Sequence, residues 1–280
     1  MRARARRGAE AARFDYVTVG HVTVDVLAGR RQPGGGAFYS ALQAARLGLR
    51  TQIVTRGEPA ELEALLAPYR GELEISIVAT DATTTLETWG RGHARKQRLL
   101  AWAGAFEEPL ALDAAILHLA PIARETPRSW RGEVELVGLT PQGLVRAWDA
   151  RGDISRVALT AEQLPARCDA AVLSTGERES CDALFTGATP GAVLAVTAGA
   201  LPTRIVQADH AELEVPPSMI AMPRDDLGAG DVFAAAFFVA LHEGLSPTAA
   251  AAHGNAAAGV RIAGAGPDAI GDRRAIQARL

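Results

Sequence analysis

Short apolar segments alternate with Ala- and Leu-rich segments along most of the chain, and this alternation constrains the fold more than any other feature. The segment 51–57, TQIVTRG, is typical of a strand, whereas 34–48, GGGAFYSALQAARLG, is typical of a glycine turn that leads into a helix. Such alternation favours an α/β fold with a doubly wound, mostly parallel sheet flanked by helices. The predicted strands are 16–27, 51–57, 114–121, 133–143, 168–175 and 191–199.

The ends of these strands are where a functional site is expected, because ligands of open α/β sheets bind beside the carboxyl ends of the strands. Polar and glycine residues stand at four of these ends, in the stretches GHVTVD, TPQG, STGERE and TAGA. We therefore look for site residues in these four stretches first.

The segment 83–104 departs from the pattern and predicts an antiparallel hairpin across a Gly-Arg-Gly-His turn. Its arms carry Trp89 and Trp102, and basic residues surround its tip. Two interpretations stay open, a lid over a site and a solvated surface hairpin. The residues at the tip are Arg91, His93, Arg95, Lys96 and Arg98.

Composition excludes several classes of protein. The chain has 280 residues, is 48% hydrophobic and carries a formal net charge of −3, which gives no support for nucleic-acid binding. No run approaches the roughly 18 apolar residues of a membrane span. The basic stretch 1–13 is predicted to be a disordered tail before a domain over 14–280. Cys168 and Cys181 lack metal-type spacing and suit a reduced, cytoplasmic protein.

Lys96 is the only lysine, and this restricts how the chain could handle phosphate groups. A P-loop requires a Gly-Lys-Ser/Thr ending, and the sequence contains none. Phosphate binding would therefore depend on backbone N–H groups, arginine or a metal ion.

The stretch DDLGAGDVFAAAFFVALHEG, 225–244, places glycines and an acid where an apolar helix begins. The first N–H groups of a helix lack intrahelical acceptors and form a ready anion site. Small residues there let the backbone approach a ligand closely. Asp231 is then either a helix cap or a proton acceptor beside a bound anion.

Several motifs together resemble the ribokinase/PfkB family of carbohydrate kinases, from about Tyr16 to Gly271. DDLGAGD is similar to the family's Asp-Thr-x-Gly-Ala-Gly-Asp signature, with Asp226 in place of threonine, and PGGGAFYSALQAARLG resembles its Gly-Gly segment. AVTAGA and HGNAAAGVRIAGAG resemble its nucleotide-side segments. The resemblance implies a short, atypical member with a ribokinase-like fold and lid elements at about 20–33 and 83–104.

The family resemblance implies a mechanism for the opening stretch. ATP would donate its γ-phosphoryl group to a hydroxyl of a sugar or sugar-like alcohol. Gly228, Ala229 and Gly230 would form the anion hole through their N–H groups, and Asp231 would be the general base. A carboxylate at a helix start is expected to have a low pKa and to be a modest base.

For the acceptor, the resemblance implies that Asp25 holds substrate hydroxyl groups beside Gly35 and Gly36. Tyr39 replaces the family's sugar-binding asparagine, which points away from ordinary ribokinase or fructokinase specificity. Two further residues are predicted to contact the substrate, Gln142 and Arg98.

For the donor, the resemblance implies that Thr197, Gly199, Asn255 and Gly228 bind the nucleotide. Glu179 would act on Mg²⁺ through water, or Glu177 if the register slips by two. Gly176 stands where the family has asparagine.

The substrate class stays open at this stage among sugars, polyols such as inositol, and nucleosides. ATP and Mg²⁺ are the expected cofactors, and a monomer and a homodimer are equally consistent with the sequence. A dinucleotide-binding oxidoreductase is disfavoured, because Gly-x-Gly-x-x-Gly is missing after the first strand. A catalytically weak sensor of nucleotide or sugar is the remaining alternative, because both family asparagines, at positions 39 and 176, are replaced.

Overall fold

The computed structural model describes residues 13–90, 95–207 and 210–280. The predicted tail lies outside these residues except for Arg13, which donates to Glu135 Oε1 at 2.8 Å. The tip of the predicted hairpin, 91–94, also lies outside them. No helix in the described part of the chain is long and apolar enough to cross a membrane.

Seventeen strands and six α-helices are found among the described residues. The strands are β1 Phe14–Val19, β2 Thr23–Leu27, β3 Arg30–Gly34, β4 Thr51–Gly57, β5 Glu74–Ala79, β6 Thr85–Trp89, β7 Lys96–Ala101, β8 Leu110–Ala111, β9 Ala114–Leu119, β10 Trp130–Arg131, β11 Val134–Leu139, β12 Arg146–Trp148, β13 Ile154–Arg156, β14 Ala170–Ser174, β15 Val193–Ala198, β16 Leu201–Val206 and β17 Leu213–Val215. The helices are α1 Gly36–Arg46, α2 Pro59–Leu66, α3 Asp182–Gly187, α4 Ala229–His242, α5 Pro247–Ala263 and α6 Arg273–Gln277.

The central sheet has nine strands in the order β17-β16-β15-β14-β11-β9-β1-β4-β5. The seven strands from β15 to β5 are parallel, and β16 and β17 extend the sheet antiparallel. The doubly wound, mostly parallel sheet predicted from the sequence is therefore confirmed. The antiparallel extension was not predicted.

Alternate residues of the central strands enter two apolar layers. Tyr16 packs with the layer that contains α1, α2, α4 and α5, whereas its neighbour Val17 packs on the opposite face with α3. Helix α4 is buried along nearly its whole length, from Val232 to Ala240. Its apolar run fits a helix surrounded by protein rather than one with a solvent-facing side.

A separate four-stranded sheet, in the order β3-β2-β6-β7, forms the predicted lid. The segment 16–27, predicted as a strand and its continuation, divides into β1 of the central sheet and β2 of the lid. The break falls at Gly20, where a Cβ atom would lie 2.2 Å from the carbonyl oxygen of Ala120. Close backbone packing at this point directs the chain from one sheet into the other.

Two short strand pairs complete the described structure. β8 pairs with β10, and β12 forms an antiparallel hairpin with β13. The β12–β13 hairpin lies against the lid, since Leu99 of β7 donates its N–H to the carbonyl oxygen of Gly152 at 2.8 Å. This hairpin was not predicted from the sequence.

Candidate active site

Three consecutive glycines lie between the carboxylates of Asp25 and Asp231. A Cβ atom on Gly34 would lie 2.2 Å from Asp25 Oδ2, and one on Gly36 would lie 2.8 Å from Asp231 Oδ1. Gly35 has φ +87°, a conformation that favours glycine. The glycine turn thus brings the lid acid and the helix acid to the same place.

The N-terminus of α4 offers free N–H groups. Gly228 caps the helix at φ 76°, and the first intrahelical hydrogen bond runs from Val232 N to Gly228 O at 3.0 Å. Among the described residues, the N–H groups of Gly228, Gly230 and Asp231 have no acceptor, whereas Ala229 donates to Asp226 O at 3.3 Å. The free N–H groups therefore differ from the trio predicted to bind an anion at one position, with Asp231 in place of Ala229.

The pKa of Asp231 is raised to about 7, mainly by burial and next by the carboxylate of Glu177. Asp25 acts in the same direction, and the charges of Arg146 and Arg95 oppose it. The low pKa expected for a carboxylate at a helix start is therefore wrong. Burial and the neighbouring carboxylates raise the pKa of Asp231 by more than the N-terminus of the helix lowers it.

Asp25 lies on β2 with 2% of its surface exposed and accepts a hydrogen bond from Thr23 Oγ1 at 2.7 Å. Burial raises its pKa to about 6, against the opposing effects of the Thr23 hydrogen bond, Arg146 and Arg95. Its position beside the glycine turn agrees with the predicted acceptor side of the site.

Glu177, and not Glu179, lies beside Asp231. Glu177 is buried, and its Oε2 accepts hydrogen bonds from both the N–H and the hydroxyl of Ser174 at 2.8 Å. Glu179 is exposed on the short helical turn that follows. Of the two acids proposed for the metal-side role, the structure therefore places Glu177, the alternative, beside Asp231. The Ser-x-x-Glu spacing, which allows a local turn, is the sequence signal for this position.

The other three residues predicted to contact the substrate have different surroundings. Arg98 donates to Asp153 Oδ1 at 2.8 Å. Tyr39 is 1% exposed, and its ring packs against Gly228, beneath the N-terminus of α4. Gln142 is exposed on a 3₁₀ turn, and among the described residues no hydrogen bond links it to Asp25 or Asp231.

The alternation of side chains along β7 explains the position of Arg98. Gln97, its neighbour, pairs with Thr88 in the register that places both on the face of Asp25. Gln97 Nε2 donates to Thr88 Oγ1 at 3.1 Å, and its Oε1 accepts from Arg146 Nη2 at 2.7 Å. Gln97 and Arg146 are site residues that sequence reasoning missed.

The residues predicted to bind nucleotide are dispersed, with Thr197 and Gly199 at the end of β15, Asn255 on α5 and Gly228 at the start of α4. Thr197 donates its hydroxyl to Leu173 O at 3.3 Å, and Gly199 is exposed at φ +63° with open space around it. Asn255 accepts from Thr203 Oγ1 at 2.9 Å and donates to Pro216 O at 2.8 Å. Its amide therefore joins α5 to the end of the sheet.

Asp225 anchors the loop before α4. Its carboxylate accepts from Arg261 Nη2 at 2.7 Å, Leu227 N at 3.0 Å and Gly266 N at 3.1 Å. Burial raises the pKa of Asp225, but these hydrogen bonds outweigh it and lower the net value. The first acid of DDLGAGD is thus structural, and it fixes the loop that carries the free N–H groups.

Comparison with known proteins agrees with this geometry. Residues 161–271 match the model of the pfkB family of carbohydrate kinases. The chain thus contains a segment, 161–271, that matches the pfkB carbohydrate kinases. The recognition of the ribokinase/PfkB family is confirmed for that segment, and so is the enzyme class that goes with it, a phosphotransferase with an alcohol group as acceptor.

Solved structures establish the ribokinase fold over nearly the whole chain. A sulfate complex of a pyrophosphate-dependent kinase in the ribokinase family has a TM-score of 0.75 at 20% identity, covering 95% of this chain and 100% of that one. Arabidopsis thaliana ribokinase with ribose and ATP gives 0.73 at 17% identity, with 95% and 98% covered. Methanocaldococcus jannaschii nucleoside kinase gives 0.70 at 17%, with 96% and 99% covered. Curated proteins give no match by sequence.

The kinase segment contains only half of the candidate site. Glu177 and the 228–231 turn lie within 161–271, whereas Asp25, Gln97 and Arg146 lie before it. A family model therefore recognises the half of the candidate site that contains Glu177 and the start of α4.

Proposed function

We propose that the chain transfers the terminal phosphoryl group of ATP to a hydroxyl group of a small uncharged sugar or polyol. The observation that carries this proposal is the position of Asp231. Its carboxylate lies at the start of α4, beside the free N–H groups of Gly230 and Asp231 on one side and Gly36 on the other. A proton acceptor and an anion site therefore share one place.

In the proposed reaction Asp231 accepts the proton of the attacking hydroxyl group. A pKa of about 7 suits a general base at neutral pH, because the base is then ionised in part of the molecules and still holds the proton well. The free N–H groups bind the oxygen atoms of the moving phosphoryl group, and Asp25 accepts hydrogen bonds from acceptor hydroxyls.

The charge of the site favours an uncharged acceptor. Asp25, Glu177 and Asp231 influence one another closely enough to raise the pKa of Asp231. A sugar phosphate or sugar acid would add a further negative charge beside Asp25. Neutral hydroxyl groups instead give Asp25 donors that it can bind.

Mg²⁺ fits the donor side only in part. The described residues contain no group of three or more His, Cys, Asp or Glu side chains that could hold a metal ion directly. Glu177 would hold Mg²⁺ through water, which suits an ion that usually keeps several of its waters. When bound, the ion would neutralise charge on the donor phosphates.

Pyrophosphate is a second candidate donor. Asn255, one of the residues predicted to bind the nucleotide, has its amide engaged by Thr203 and Pro216. The sulfate complex described above is of a pyrophosphate-dependent kinase in the ribokinase family. A donor without a base would need only the phosphate-binding groups at the start of α4.

The deciding experiment is a matrix of donors and acceptors with purified protein. ATP and pyrophosphate would each be supplied with a panel of sugars, inositols and nucleosides, and phosphorylated product would be measured. We expect turnover with one donor and a neutral acceptor, and loss of at least about 100-fold in Asp231→Asn. Binding without any turnover across the matrix would instead support a sensor.

A further inference from the structure

Arg146 is a partly buried cation that faces four carboxylates and, among the described residues, pairs with none of them. Burial lowers its pKa, while Glu177, Asp25, Glu125 and Asp231 act in the opposite direction, in that order. No carboxylate in the described part of the chain lies within ion-pair distance, 4.0 Å, of its guanidinium nitrogens. A partly buried charge that has no direct ion-pair partner can still gain from one, so this arrangement suits a site that a ligand completes.

Only some of the N–H donors of the Arg146 guanidinium group are hydrogen-bonded within the described structure. Nη1 donates to Ile122 O at 3.1 Å and Nη2 donates to Gln97 Oε1 at 2.7 Å. These bonds use two of the five N–H groups that arginine carries. The remaining three have no acceptor among the described residues, and the planar fork of arginine matches phosphoryl oxygens well.

The surroundings of Arg146 place it between the two halves of the site. Glu177 follows β14 on the donor side, and Asp25 lies on the lid on the acceptor side. Arg95, the other cation that acts on Asp231, is already bonded to Asp226. Lys96 is exposed.

We propose that Arg146 contacts the transferring phosphoryl group and stabilises the charge on its oxygen atoms during transfer. This assignment rests on the proposed function. In the step, the acceptor oxygen forms a bond to phosphorus as the bond to the leaving oxygen breaks. The leaving group keeps that electron pair, and the hydroxyl proton passes to Asp231. Arg146 donates hydrogen bonds only and exchanges no proton.

Two substitutions and a matched control test the assignment. Arg146→Gln removes the charge, and Arg146→Lys keeps the charge but loses the fork. Arg151→Gln, an exposed arginine in the turn of the same hairpin, is the control. We expect kcat to fall about 100-fold in Arg146→Gln and by a smaller factor in Arg146→Lys, with KM values nearly unchanged. Arg151→Gln should retain the wild-type kcat.

Unchanged kcat in both Arg146 variants would overturn the assignment. A rise in acceptor KM with kcat preserved would also overturn it, because it would place Arg146 in acceptor binding alone. Thermal unfolding identifies a variant that fails to fold. If Arg146→Gln is unfolded, the kcat of Arg146→Lys alone tests the assignment.

A binding measurement separates failure of this assignment from failure of the proposed function. If the wild-type protein shows no turnover with any donor, the proposed function fails. Calorimetric titration with inorganic tripolyphosphate then tests Arg146 directly. We expect binding about tenfold weaker in Arg146→Gln, or in Arg146→Lys if the glutamine variant is unfolded, than in the wild type and Arg151→Gln. Equal affinity in all these proteins, or no binding to the wild type, would overturn the assignment.

Discussion

At the scale of single residues, the site brings together acids whose ionisation is set by one another and by burial. The sequence predicted Asp25 and Asp231, because each stands in a recognisable motif. It could not predict the raised pKa of Asp231, which depends on Glu177 and on enclosure by distant segments. Arg146 was missed for the same reason, since only the folded chain shows that it faces Asp25 and Glu177.

The raised pKa of Asp231 predicts a stability that depends on pH. The folded protein holds this proton up to about pH 7, whereas the unfolded chain loses it near 3.8. The free energy of unfolding should therefore fall as pH rises from about 4 to 7. Asp231→Asn should be more stable than the wild type at pH 8, by at most about 4 kcal/mol, and the difference should be small at pH 5.

Urea unfolding of both proteins at pH 5 and pH 8 measures this difference. A variant less stable than the wild type at pH 8 would contradict the raised pKa. In the active wild type, kcat/KM should rise with pH through about 7, as Asp231 becomes able to accept a proton.

The pair of glutamates after β14 provides a second prediction. Glu177→Gln should lower kcat by about tenfold or more, because Glu177 is buried beside Asp231, and it should shift the rise in kcat/KM to lower pH. Glu179→Gln, at the exposed position two residues later, should leave both quantities unchanged. Steady-state kinetics of the two variants at several pH values would decide, and equal effects would contradict the assignment to Glu177.

At the scale of elements, regular secondary structure was largely predictable, and side-chain direction in the lid was not. The segment 51–57 forms β4 with the predicted bounds, and the turn at 34–48 leads into α1 as expected. Arg98 was chosen for its charge, but adjacent residues of a strand face opposite sides. A bulge between Thr85 and Leu86 shifts the register of β6 and β7, and no pattern in the sequence reveals it.

This alternation predicts that substitution of Gln97 changes the kinetics, whereas substitution of its neighbour Arg98 on β7 does not. Gln97→Leu should raise the acceptor KM and lower kcat, because it removes the hydrogen bonds to Thr88 and Arg146. Arg98→Gln should change neither quantity and should leave the free energy of unfolding nearly unchanged, since its ion pair with Asp153 is partly exposed. Kinetics and urea unfolding of the two variants test this, and a larger kinetic effect at Arg98 would contradict the register.

At the scale of the whole molecule, stability depends on the layer that contains α4. Phe238 of this helix packs against Gly138 of β11, where a Cβ atom would lie 2.5 Å from the ring, and its ring meets that of His118 edge-on at 4.9 Å between centroids. The same helix carries Asp231 at its start. Packing in this layer therefore fixes the position of Asp231, the proposed general base.

Truncation within this layer should be costly. Phe238→Ala should reduce the free energy of unfolding by about 3–5 kcal/mol, because it leaves a cavity between α4 and β11. Leu201→Ala, at a position 67% exposed on β16, should change it by less than about 0.5 kcal/mol. Equal costs, measured by urea unfolding, would contradict the buried position of α4.

The lid is a sheet of its own, and its residues precede the segment that carries the start of α4. Residues that face an acceptor are therefore encoded apart from those that move a phosphoryl group. Selection can change which alcohol is recognised, through substitutions on β2, β6 and β7, while the transfer machinery stays intact. Substitutions that change specificity should therefore accumulate in the first half of such a chain. The second half should keep the sequence pattern that it shares with the pfkB family.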